Sequence, residues 1–465
     1  MKLFVLTALI FALALTTFAQ TDDLAKTPSG QRVINYFAVF NSGDEKKLSA
    51  FFTDNISADS LKQRPVKPRL AFHRQVRSDF SIVAIKKVVS VSDTEIKVLA
   101  QSINGSWIAY GFTFDAATSK FSGFSIAQTE PPADEKKPAV ATPVVAPATK
   151  AEFLKAAESL LDAQAKADAF SGVVLIANGD KPLLSKAYGE ADRDKHTPNN
   201  VDTRFNLGSI NKMFTRIAIG QLVKQGKLSF SDKLIKVLPD YPNRDVASKI
   251  TIGDIVTMKS GMGDFFNEKY FGADKSKIKT LQDYLPLFVN DKLEFEPGTR
   301  SRYSNAGYLV LGLVIEKLTG RSYYDYVREN VFKPAGMSKT DSFAMSDLPT
   351  NTAFGYQVAA SGRARNDISL PGRGSSAGGG YSTAGDMLKF SNALRSKTLE
   401  IPGDDGTFPA EFKGAGVAGG SDGVNALFIT NGQTGYTIIV LSNYDPPSAE
   451  KPGAQIRDWL KSVKD

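Results

Sequence analysis

The chain has 465 residues, 42% of them apolar, which is enough to bury more than one core and too apolar for a disordered segment. Its formal charge of +8 comes from lysines and arginines scattered among acids, with no long basic block and no recognition motif, so nucleic acid is not an expected partner. Cysteine is absent, which excludes disulfides, thiol chemistry, cysteine lipidation and cysteine-based zinc sites.

The first twenty residues, "MKLFVLTALIFALALTTFAQ", combine one lysine, an apolar run from Leu3 to Leu15 and a small-residue exit at Thr17-Phe18-Ala19. That pattern predicts a signal peptide over residues 1–19, cleaved near Ala19, and a secreted or periplasmic mature chain. A retained anchor is the alternative, although the run is too short to span a bilayer; no other segment reads as transmembrane, so no span is expected after cleavage.

Residues 22–128 begin with helical patterning in "QRVINYFAVFNSGDEKKLSAFF" and continue with β-rich runs such as "TEIKVLAQS" and "SWIAYGFTFD", separated by a tight-turn signal at Asn104-Gly105. Helices followed by an antiparallel sheet predict a small α+β accessory domain. The pattern resembles nuclear-transport-factor-2-like domains, which implies a curved, cone-like sheet wrapped against helices. His73 lies here without acidic or histidine neighbours at ligand spacing, so a surface or packing role is expected. Residues 129–150 contain Pro131, Pro132, Pro138, Pro143 and Pro147 among alanines and charges, and read as a semi-rigid linker.

Residues 151–465 open with a helix near "AEFLKAAESLLDAQ" and a hairpin that turns at Asn178-Gly179. They close with two strands in "GVNALFITNGQTGYTIIVLSN" and a short helix, with helical segments between. One antiparallel sheet built from both ends, flanked by helices and joined by a helical lobe, is the expected α/β (α+β) architecture; periodicity shows the elements but not their pairing.

The only histidines are His73 and His196, and His196 sits in a polar loop where an exposed structural role is expected. Gly-x-Ser-x-Gly elbows occur around Ser376 and Ser421, but the histidine that such an elbow needs downstream does not exist. Lysine can replace histidine as the base. Ser-x-x-Lys occurs at Ser209–Lys212, Ser276–Lys279 and Ser448–Lys451, and only the first precedes a buried helix, marked by Phe214, Ile217, Ala218 and Leu222. There the hydroxyl and amine are helical neighbours, while burial and the helix dipole both oppose the ammonium form. The plain alternative is a capping serine with a snorkelling lysine. Tyr303, Ser304 and Asn305 precede another buried helix; Tyr303 could relay a proton, its pKa lowered by the ammonium, and Asn305 could act as a helix cap or orient the amine.

"SINK", "YSN" and a later glycine strand, with "TIGDIVTMKSGMGDF", "FEPGTRSRYSNAGY" and "SSAGGGYSTAGDMLKF", resemble in order the motifs of the serine β-lactamase and penicillin-binding-protein superfamily, most closely the class C β-lactamase-like esterases and peptidases. The resemblance implies that Ser209 is the acylated nucleophile, that Lys212 and Tyr303 share acid/base work, that Asn305 orients the site, and that no metal or cofactor is needed. At the third motif relatives carry Lys or His, a small residue and Gly, where this chain has Val417, Ala418 and Gly419. The backbone of Gly420 could still complete an oxyanion hole with that of Ser209. Without the cation a substrate carboxylate loses its expected partner, which turns the expectation toward small ester, amide or peptide substrates, with a cell-envelope polymer as a larger candidate. A class C-type β-lactamase or D-alanyl-D-alanine carboxypeptidase is one alternative, and a catalytically silent binding protein on the same scaffold is another. The glycines of "GRGSSAGGGYSTAGD" are expected to form a mobile loop, followed by a capping box at Thr383 and Asp386.

Overall fold

The computed structural model describes residues 22–80, 83–102, 106–129, 132, 147–359, 362–367, 369–400 and 416–463. The expected signal peptide, the turn at Asn104-Gly105 and most of the expected linker lie outside the described residues. The chain divides into two compact units, Met1–Pro143 and Val144–Asp465, and the division falls inside the proline-rich stretch. Among the described residues no helix is long and apolar enough to cross a membrane.

In the first unit, α1 (Pro28–Ser42), α2 (Glu45–Asn55) and α3 (Val66–Phe80) precede β1 (Val83–Val91), β2 (Glu95–Ser102), β3 (Trp107–Phe114) and β4 (Phe121–Thr129). Thr27 caps α1 with Pro28 at its first position, and Asp44 caps α2. The strands form one antiparallel sheet in sequence order. Ile96, Val98 and Ala100 alternate toward one face of β2 and meet Tyr36, Phe37, Phe40 and Phe52 from the helices. His73 is only 2% exposed and packs in this core, its Nδ1 2.8 Å from the Tyr36 hydroxyl. Burial, aided by the charges of Arg64 and Arg69, pushes its pKa down to about 3, so the ring stays neutral.

The second unit starts with α4 (Lys150–Lys166), whose Thr149–Glu152 capping box satisfies its first backbone donors. Next come the hairpin strands β5 (Gly172–Asn178) and β6 (Lys181–Tyr188), turning through Gly179 at φ +63°. A largely helical stretch follows, with α5 (Lys212–Lys224), α6 (Asn305–Thr319) and α7 (Ala384–Arg395) as its long members. β7 (Val417–Ser421), β8 (Val424–Thr430), β9 (Tyr436–Ser442) and α8 (Glu450–Leu460) complete the unit.

The sheet order is β7-β8-β9-β5-β6, antiparallel throughout, so the strands from both ends of the unit meet where β9 pairs with β5. Period-two alternation divides its side chains between two cores. Val173, Leu175, Phe428, Ile439 and Leu441 face the larger core with Ile217 and Leu222 of α5 and Phe390 of α7. Val174, Ile176, Leu427, Ile438 and Val440 face Phe153 and Leu161 of α4 and Ile456 and Trp459 of α8. Strands covered on both faces read as continuous apolar runs, as "GVVLIA" and "YTIIVL" do.

Two local expectations need correction. The glycine-rich segment is not a mobile loop: Ser375, Ser376 and Ala377 are buried, and their carbonyls accept hydrogen bonds from the side chains of Asn211, Thr215 and Lys212. Its glycines serve close approach, since a Cβ on Gly380 would lie 2.2 Å from Asn211 Oδ1. The box at Thr383 is half-formed: the Thr383 hydroxyl accepts from Asp386 N, but the Asp386 carboxylate accepts instead from Lys339 N and the Thr340 hydroxyl.

Candidate active site

Ser209 occupies a tight 3₁₀ turn, Gly208–Asn211, that runs directly into α5. Gly208 enters the turn at φ +50°, a conformation that suits glycine. The Ser209 side chain does not cap the helix; its Oγ hydrogen-bonds the Tyr303 hydroxyl and lies 3.2 Å from Lys212 Nζ. The simple capping alternative is therefore not what the structure adopts. Lys212 does not snorkel either: it is 6% exposed.

The Lys212 amine donates to Asn305 Oδ1 at 2.6 Å and to the Ala377 carbonyl, and stands 4.7 Å from the Tyr303 ring centre and 5.6 Å from that of Tyr308. A neutral amine has two hydrogens and one lone pair. Two fixed acceptors take the hydrogens and leave the lone pair for the third neighbour, the Ser209 hydroxyl. Burial, helped by the charge of Arg216 and opposed by that of Asp264, lowers the Lys212 pKa to about 7. The expected depression is present.

Tyr303 departs from its expectation. Its ring is half-exposed, but its hydroxyl points at Ser209, and burial of that hydroxyl pushes its pKa up to about 12, so the nearby amine does not lower it. An amine that is itself half-neutral at pH 7 stabilises a phenolate little. Asn305 also differs in detail: Ser304 caps α6, its Oγ accepting from Gly307 N and donating to the Gly263 carbonyl, while Asn305 is the first helical residue and points into the site.

β7 lies against the Ser209 turn. A Cβ on Gly419 would come within 2.0 Å of the Leu207 carbonyl oxygen and 2.8 Å of Ser209 N, and one on Gly208 within 2.8 Å of Gly420 N. The glycines thus let two backbones approach where a side chain could not fit. Val417 is half-buried against the larger core, and Ala418 is exposed.

The structure brings together Ser209, Lys212, Tyr303 and Asn305 and sets Gly419 and Gly420 beside them. It also adds Asp264 and the Ala377 carbonyl, which sequence reading missed. Asp264 Oδ2 accepts from Asn305 Nδ2 at 2.7 Å. Its signal was the "SGMGDF" stretch, whose acid stands alone between glycine and aromatic residues.

The other serines singled out by motif have partners away from Lys212. Ser376 Oγ reaches the Leu309 carbonyl, Ser276 Oγ donates to Asp274, and Ser448 Oγ donates to Ser442 Oγ. Ser421 ends β7 at an exposed hairpin. His196 sits in an exposed turn with Nδ1 3.1 Å from Glu190 Oε1. Among the described residues no group of three or more His, Asp or Glu could hold a metal ion.

The family model for Beta-lactamase matches residues 157–461. Penicillin-binding protein 4* of Bacillus subtilis (strain 168) is 33% identical over 204 residues, covering 43% of this chain and 44% of its own length. The match thus spans less than half of that relative. A solved penicillin binding protein from Bacillus halodurans is 31% identical with a TM-score of 0.57, over 64% of this chain and 98% of its own. A D-amino acid amidase from Ochrobactrum anthropi SV3 shares the fold at 22% identity and a TM-score of 0.56, over 67% of this chain and 99% of its own.

Proposed function

Because the chain belongs to the Beta-lactamase family, we propose that it is a serine hydrolase that acts through an acyl-enzyme on Ser209. The single observation that carries this reading is the Lys212 amine, buried, drawn down to about 7, and held by two acceptors with Ser209 as its third neighbour. Neutral Lys212 takes the Ser209 proton as Oγ attacks the substrate carbonyl. The N–H groups of Ser209 and Gly420 receive the oxyanion. Tyr303, protonated at neutral pH, passes its proton to the leaving group and is resupplied from the Lys212 ammonium. Water, deprotonated by the same pair, then releases the acyl group.

The substrate is an ester or amide without a carboxylate beside the scissile bond. Val417, where relatives carry a cation, supports that choice, and the exposed Phe266 and Phe271 on the segment after Asp264 offer apolar contact. Hydrolysis of the β-lactam nitrocefin would place the chain instead with enzymes that accept such a carboxylate. Residues 1–19 direct export and are removed near Ala19. The first unit, a nuclear-transport-factor-2-like domain joined by the 129–150 linker, serves as an accessory to the hydrolase.

A fluorophosphonate probe tests the nucleophile. Wild-type protein is expected to gain one covalent adduct by mass spectrometry and Ser209→Ala none; an unlabelled wild type under conditions that label a control serine esterase would overturn the reading.

A further inference from the structure

An asparagine amide presents an acceptor at one end and donors at the other, and the chemistry at Ser209 depends on which end faces Lys212. Here Oδ1 of Asn305 faces Nζ at 2.6 Å. Were the amide turned over, its NH₂ group would meet the amine, whose lone pair would then accept from the amide and no longer serve Ser209. We propose, on the premise that Ser209 is the acylated nucleophile, that Asp264 is a positioning residue: its carboxylate holds the Asn305 amide in the orientation that leaves the Lys212 lone pair for the Ser209 hydroxyl.

The geometry supports this at each link. A carboxylate only accepts, so it selects the NH₂ end of the amide, and Asp264 Oδ2 does so at 2.7 Å. Its other oxygen, Oδ1, accepts from Phe266 N at 3.0 Å, which stops the carboxylate from turning away. The segment carrying Asp264 is tied to the start of α6 a second time, because Ser304 Oγ donates to the carbonyl of Gly263 at 2.8 Å. Adjacent residues of one segment therefore grip adjacent residues of the other. Desolvation raises the Asp264 pKa, and its hydrogen bonds and the Lys212 charge pull against that rise.

The charged and titratable groups facing Lys212 are Asp264 across the amide, Arg216 one turn along α5, and the phenols of Tyr303 and Tyr308. Of the two charges, the Asp264 carboxylate favours the ammonium form and Arg216 opposes it. Removing the carboxylate charge must lower the Lys212 pKa.

The experiment compares wild type, Asp264→Asn and the double variant Asp264→Asn/Asn305→Asp, using the full chain, a short acyl ester and the fluorophosphonate probe. With one carbonyl oxygen, the amide introduced by Asp264→Asn cannot accept from both Phe266 N and Asn305 Nδ2. Asp264→Asn is expected to lose about a hundredfold in kcat/KM, the scale of an impaired general base, and its acid limb is expected to move to lower pH. The double variant restores every donor–acceptor pair, since the amide now at position 264 donates to the carboxylate now at position 305, but it brings the negative charge next to Nζ. Its activity is expected to recover by at least tenfold over Asp264→Asn above pH 9, with the acid limb moved above the wild-type position. The limb shift of Asp264→Asn reports the lost charge, whereas the recovery reports the amide's orientation: a structural role alone would leave the double variant no more active than Asp264→Asn. The proposal is overturned if Asp264→Asn keeps wild-type kcat/KM, if the limb stays fixed, or if the double variant fails to recover at high pH. Should Asp264→Asn prove too unstable to purify, the double variant decides alone: kcat/KM above pH 9 within about tenfold of wild type supports the proposal and a loss of about a hundredfold or more overturns it. An unlabelled wild type would overturn the acyl-enzyme premise, which separates that failure from a labelled wild type with an indifferent Asp264.

Discussion

At pH 7 the Lys212 amine divides about equally between its two protonation states, and only the neutral one can accept the Ser209 proton. The acid limb of kcat/KM is therefore expected to have its midpoint near pH 7, read from a pH series on a neutral ester. Lys212→Met should lose about 10²–10⁴-fold at all pH values. The same residue leaves a mark on stability. Between about 7 and its ordinary 10.5 the amine is neutral when folded and protonated when unfolded. The unfolded state then binds more protons, so stability contributed through this group rises with pH across that window and is lost as pH falls toward 7. Denaturant melts should show wild type gaining on Lys212→Met by about 1.4 kcal/mol per pH unit within the window. A flat difference between pH 7.5 and 9.5 would mean that the amine stays charged inside the fold.

β7 and the Ser209 turn meet through bare backbone, and the oxyanion role proposed for Gly420 depends on that contact. Alanine at 419 would put a methyl group 2.0 Å from the Leu207 carbonyl oxygen, so the strand must shift away from the turn. Gly419→Ala is expected to lower kcat by about 10²–10³-fold, the loss of one oxyanion donor. Gly432→Ala, with nothing within 4 Å of the added methyl, should leave kcat unchanged. The helix behind Ser209 was readable in sequence because Phe214, Ile217, Ala218 and Leu222 repeat at helical spacing, and that repeat separated Ser209–Lys212 from Ser276–Lys279 and Ser448–Lys451. The "SGMGDF" stretch marks Asp264 as an isolated acid but not its role, which depends on contact with Asn305, 41 positions away. Nor was the Ala377 carbonyl readable: a backbone acceptor has no residue type to betray it. The glycines around it suggested mobility where the fold uses them for close approach. Ser304 and Asn305 are both good caps by type, and only the direction of their side chains decides which one caps and which one reaches Lys212.

At the scale of the whole molecule, the runs "GVVLIA" and "YTIIVL" read as strands, but no periodicity tells β9 to pair with β5 from the far end of the unit. Two cores settle it: the register that sets Val440 opposite Val174 sends both toward α4 and α8, and a one-residue slip would point each at the wrong core. That closure also places every residue of the candidate site in the second unit, together with both cores that support it. The first unit has its own core, built from α1, α2, α3 and the inner face of its sheet. Deletion of residues 22–128 is therefore expected to leave kcat/KM on a short acyl ester within about twofold, since the residues of the candidate site and the cores behind them all lie in the second unit. If the first unit brings the hydrolase to an envelope polymer, the same deletion should reduce kcat/KM on polymeric substrate at least tenfold while the ester value holds. Equal loss on both would contradict a targeting role, because it would mean that the catalytic unit needs the first one to maintain its own structure.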